Sequence, residues 1–141
     1  MAEFVLNCDL GRILNQPEPS LEDLERLAKE IRRWPFKRDK ANLDFIASRR
    51  VNGMMMRFAA APDDVVFLER VVQMIRLLFE LRIEIDLWKA QNVFYVLAQA
   101  LYRAKREHLE KDPADSAQAL SARRWLNAFY ALGELLKVKV V

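Results

Sequence analysis

Apolar residues return every three or four positions along this chain, and very little in it is able to interrupt that rhythm. Leu68, Val71, Val72, Ile75, Leu78 and Phe79 form the most regular run, with the spacing that gathers side chains on one face of an α-helix. Three glycines and five prolines in 141 residues leave little material for the tight turns that a β-rich fold consumes. With 52 % apolar residues, several such helices have enough to bury. The fold class is therefore expected to be all-α: a bundle of about six mostly antiparallel helices. Residues 1–141 are read as a single helical domain, or at most two tightly packed halves.

Boundaries fall where proline or a capping residue appears. A first short helix carries Phe4, Val5, Leu6, Leu10, Ile13 and Leu14 and stops at Gln16-Pro17-Glu18-Pro19. Ser20, with Asp23 three residues on, starts a second helix, with Leu21, Leu24, Leu27, Ala28 and Ile31 inward, and Trp34-Pro35 ends it. Asp39 opens a third, in which Gly53 weakens the helix by about 1 kcal/mol relative to Ala and is expected to mark a kink or a close contact. Ala61-Pro62-Asp63-Asp64 leads into the fourth. Arg82-Ile83-Glu84-Ile85 alternates as a strand would, and Asp86 is placed to cap the fifth helix, with Leu87, Phe94, Leu97, Ala98 and Leu101 on one side. Lys111-Asp112-Pro113 breaks that helix. Asp115 or Ser116 starts the last, which carries Leu120, Trp125, Phe129, Leu132 and Leu136. The first helix begins almost at Met1 with no capping residue ahead of it, so the natural polypeptide is expected to continue upstream, this segment being a C-terminal piece.

Function is bounded by what the sequence lacks. A net charge of +3 is too small to call for nucleic acid or an anionic membrane. No stretch approaches the roughly 18 uninterrupted apolar residues of a membrane span. Cys8, the one cysteine, permits no internal disulfide, and Glu3 and Asp9 stand where a secretory leader would be basic and then apolar, so a cytoplasmic location is expected. Cys8 and the single His108 sit at opposite ends of the chain, and no acid cluster surrounds either. No metal site and no cofactor are expected, with Cys8 in the core and His108 in solvent. There is no nucleophile elbow or phosphate-binding glycine loop. Asp63-Asp64, Asp44 and the Glu84/Asp86 pair read as caps and dipole partners rather than the opposed carboxylates of a glycosidase. No catalytic residue is assigned.

Two surfaces stand out. Arg32, Arg33, Lys37, Arg38 and Lys40, with Trp34 and Phe36 between them, form a basic stretch suited to an acidic partner. Trp88, Gln91, Asn92 and Tyr95 share one helical face at spacings of three and four. Rings with amides between them suit a sugar, stacked on the rings and bonded by the amides, or else an interior polar network that fixes helix register, or an interface to another domain.

Asp86-Leu87-Trp88-Lys89-Ala90-Gln91-Asn92 with Phe94-Tyr95, and the closing Trp125-Leu126 and Gly133-Glu134-Leu135-Leu136-Lys137-Val138-Lys139-Val140, resemble an uncharacterised helical region. That region lies at the C-terminal end of proteins similar to family-57 glycoside hydrolases, the α-amylase/α-mannosidase type. Glu3-Phe4-Val5-Leu6-Asn7 looks like an internal junction of the same region, and the resemblance covers nearly the whole chain. It implies an upstream catalytic barrel carrying both catalytic carboxylates, on which this domain packs and whose groove it helps to wall. Trp88, Gln91, Asn92 and Tyr95 would then dock on the barrel or touch an α-glucan. None of the barrel's catalytic motifs is in this chain. The alternative is a helical protein-interaction module that associates with itself, or docks an acidic partner through Arg32 to Lys40, with Met54 to Met56 as an adaptable apolar contact.

Overall fold

The computed structural model describes residues 2–16, 19–33, 40–111 and 116–138. Its elements are α1 (Ala2–Asn15), α2 (Leu21–Arg33), α3 (Lys40–Ala60), α4 (Val65–Glu80), α5 (Trp88–Leu97), a π-helical segment (Ala98–Tyr102), α6 (Arg103–Lys111) and α7 (Ala117–Leu136). Because α5, the π segment and α6 follow without a break, they make one long rod, and the described helices number six. The protein is all-α, and no strand occurs among the described residues. The Trp34-Pro35 stop, Asp39, the Asp112-Pro113 break, Asp115 and everything beyond Val138 lie outside them.

The chain divides into two compact units, Met1–Gly53 with Gln73–Asp86, and Met54–Val72 with Leu87–Val141. In the first, α1 packs on α2. Ser20 caps α2, its Oγ accepting the Asp23 N–H at 3.2 Å. Leu24, Leu27, Ala28 and Ile31 are buried, as their spacing requires. Arg50 reaches back along the chain to close α1. Its Nε donates to the Leu14 carbonyl at 2.9 Å and its Nη2 to the Asn15 carbonyl at 2.8 Å, so a cation meets the unsatisfied, negative end of a helix.

The alternating Arg82–Ile85 segment forms no strand: Arg82 lies in a turn and the residues after it have no regular structure. Its backbone is strapped to α3 instead: the Glu84 N–H donates to Asp44 Oδ1 and the Asp86 N–H to Ser48 Oγ, each at 2.9 Å. Arg82, at φ 58°, turns the chain off α4. Its N–H bonds the Phe79 carbonyl and the Ile83 N–H bonds the Leu78 carbonyl, a left-handed helix stop of the kind glycine usually makes.

In the second unit, Asp64 caps α4, its Oδ1 taking the Phe67 N–H at 3.0 Å, and Ser116 caps α7 by accepting the Ala119 N–H at 3.0 Å. The core is aromatic. Trp125 stacks on Phe129 at 4.5 Å and 15°, and Phe129 on Phe94 at 4.3 Å and 16°. All three rings are fully buried. The Trp125 indole N–H donates to the Pro62 carbonyl at 2.7 Å, which gives the one polar atom of that side chain its partner. Lys105 pairs with Asp63 at 2.6 Å and lies over the Trp125 ring at 5.4 Å.

Several expectations need correction. Cys8 is exposed rather than in the core. Val5 and Leu120, periodic with their stripes, are more than half exposed. Gly53 is exposed within α3, and a Cβ built there meets nothing within 4 Å, so no close contact explains it. Of the three methionines, Met54 and Met55 are core and only Met56 faces out.

Candidate functional site

α5 turns two different faces to its surroundings. Ala90, Phe94 and Leu97 are buried, and Phe94 joins the aromatic stack. About half a turn away, Trp88 is 66 % and Tyr95 57 % exposed, with Asn92 exposed between them. Asp86 does not cap this helix. Leu87 occupies the N-cap position, with no side-chain hydrogen bond.

Of the four residues expected to act together here, Trp88, Asn92 and Tyr95 are exposed and Gln91 is half-buried. Gln91, half-buried, donates its Nε2–H to the Leu136 carbonyl at 2.8 Å. Leu136 ends α7, and the next residue, Lys137, takes the left-handed conformation at φ 60°, so the Gln91 amide satisfies a helix-end carbonyl that would otherwise need water. The face therefore offers two rings and the Asn92 amide, not two rings and two amides.

The surroundings of this face are unusually poor in charge. Between Trp88 and Tyr102 the only charged residue is Lys89, whereas Arg103 to Lys111 reads Arg-Ala-Lys-Arg-Glu-His-Leu-Glu-Lys. The exposed positions of the first half of the rod add Val96, 64 % exposed, and Gln99. Depletion of charge with enrichment of Trp and Tyr is the composition of an interface centre rather than of ordinary solvated surface.

Among the described residues of the basic stretch, Arg32 is paired. Arg32 Nη2 donates to Glu80 Oε2 at 2.7 Å across two exposed side chains, and Arg33 is exposed. Lys37 and Arg38 lie outside the described residues, and Lys40 begins α3. Three of the carboxylates weighed as catalytic candidates have local duties: Asp64 caps α4, Asp63 holds Lys105 and Asp44 takes the Glu84 N–H. Glu69, which was not among them, grips Arg124 through both oxygens. That bidentate hydrogen bond, and then the charge of Glu69, raise the Arg124 guanidinium above its ordinary value. Among the described residues no group of three His, Cys, Asp or Glu side chains is placed to hold a metal ion, and no helix is long and apolar enough to cross a membrane.

Sequence reasoning missed the Arg50 clamp and the Gln91 bond. Both join residues 35 or more positions apart, and no local spacing signals them. A cavity of about 370 Å³ lies between α1 and α2 and is lined by Asp9, Arg12, Asp23, Arg26 and Glu30 among others. Its arginines pair with acids on their own helices, Arg12 with Asp9 and Arg26 with Asp23. Compared with models of known families, with curated proteins and with solved structures, the chain has no significant match.

Proposed function

We propose that this chain is a non-catalytic helical accessory domain whose working surface is the outward face of α5. The observation that carries this reading is the exposure of Trp88 and Tyr95 on a stretch with one charge in fifteen residues. Large apolar rings are kept in water at a cost, and aromatic clusters in a charge-poor setting mark surfaces that bind. Engagement of Gln91 by the Leu136 carbonyl favours docking over sugar contact, since only one amide remains to bond hydroxyls.

The host is an α-glucan-active glycoside hydrolase of the family-57 type, on the resemblance of the Asp86–Tyr95 and Trp125–Val140 segments. Its upstream barrel supplies the chemistry, and this domain accompanies it in the cytoplasm. The acids with local duties support a segment that breaks no bond itself. The test has two arms. Purified chain is incubated with starch and maltooligosaccharides and shows no turnover, while the gene's reading frame immediately upstream encodes a barrel with paired carboxylates. Turnover abolished by a single acid substitution, or a stop codon directly before Met1, refutes the proposal.

A further inference from the structure

The outward face of α5 holds a finer pattern than exposure alone. Trp88, Asn92, Tyr95 and Gln99 follow at steps of four, three and four, the seam spacing with which one helix packs along another. All four are exposed, while the helix uses Ala90, Phe94 and Leu97 for its own core. The seam alternates ring and amide and bears no charge. We propose that its occupant is a second copy of this chain, seam against seam. The inference rests on the reading of α5 as the working surface and names the partner.

A seam of alternating rings and amides is its own complement in either direction. Laid parallel, Asn92 meets Asn92 of the second copy and rings meet rings. Laid antiparallel, the Asn92 amide comes beside the Tyr95 hydroxyl. In each case the amide's donors and acceptors find partners, and a polar residue at one seam position fixes register. Two copies of a net-positive chain repel through their charged faces, and this seam is where that repulsion is weakest.

Area decides how tight such a pair is. A buried aromatic covers about 150–250 Å². With Trp88 66 % and Tyr95 57 % exposed, the four rings of a pair contribute about 500 Å². The amides and Val96 bring the total toward, but not past, the roughly 1,200 Å² at which stable complexes begin. The dimer is a weak one that fills with concentration, not an obligate fold partner.

Sedimentation equilibrium of the full chain, from low micromolar to near millimolar and at low and high salt, tests this. The average mass climbs toward twice that of the chain, with no loss at high salt. Trp88→Ser and Tyr95→Ser each raise the dissociation constant at least about tenfold, with unchanged far-ultraviolet circular dichroism. Tyr130→Ser, a comparably exposed ring on α7 (55 %), leaves it alone. Association that salt dissolves and that Trp88→Ser does not weaken overturns the inference in favour of the Arg32 surface. A chain that stays monomeric while maltoheptaose shifts its Trp88 emission overturns the second copy and keeps α5 as a binding face. A monomer whose Trp88 answers to neither overturns both.

Discussion

Replacing Trp125 by Phe tests the aromatic core and its single polar anchor together. The substitution keeps a ring to stack on Phe129, 4.5 Å away, but removes the N–H that bonds the Pro62 carbonyl at 2.7 Å. A part-buried carbonyl left without its donor costs about 1 kcal/mol. The smaller side chain leaves a void of about 40 Å³, worth about 1 kcal/mol at ~24 cal/mol per Å³. The apolar area no longer buried adds about 1 kcal/mol more. The sum is about 3 kcal/mol. In urea, with a slope of about 1.5 kcal/mol per molar, the midpoint followed by far-ultraviolet circular dichroism falls by about 2 M. Trp88→Phe, at an exposed ring, stays within about 0.5 kcal/mol of the parent. If Trp125→Phe unfolds at the parent's midpoint, the indole is neither packed nor bonded as described, and the second unit's core needs another account.

The helix ends give further tests. Arg82→Gly and Lys137→Gly each stabilise the fold by about 0.5 kcal/mol in the same urea assay, because relief of the left-handed strain slightly outweighs glycine's extra freedom when unfolded; a loss at both positions argues against φ values of 58° and 60°. Ser116→Ala removes the acceptor for the Ala119 N–H and costs about 1 kcal/mol, detectable as a lowered melting temperature. Gln91→Ala strips the Leu136 carbonyl of its partner and costs about 1 kcal/mol; amide exchange around Leu136 and Lys137 should quicken with it, and unchanged exchange there would dismiss the bond.

Much of this architecture is legible in the order of residues, for a definite reason. The stripe of α2 and the run from Leu68 to Leu78 are buried because a helix packed on one side must put its apolar residues there. Ser20 and Ser116 cap because a hydroxyl beside free N–H groups has an immediate local use. What local pattern does not carry is distance. Nothing beside Arg50 in the sequence hints that it closes α1, and Gln91, read as a sugar contact, an interface residue or part of an interior network, does not name Leu136 as its partner. The two left-handed stops were hidden by identity, Arg82 and Lys137 standing where glycine is the usual sign. Alternation in Arg82–Ile85 suggested a strand, whereas Arg82 turns and the irregular residues after it are held by a pair of α3 side chains. The α5 face was legible as a cluster of unusual residues, yet which of them reach solvent depended on the tertiary position of Leu136.

The π segment Ala98–Tyr102 acts as a spacer in the rod's winding. A π turn holds one residue more than an α turn, and each residue advances an α-helix by about 100°. Deleting one residue there would restore ordinary winding and swing everything from Arg103 onward about that far around the axis. Lys105 would then point away from Asp63 and the Trp125 ring. The single surplus residue is thus what lets the charged half of the rod and the aromatic half each keep its own alignment.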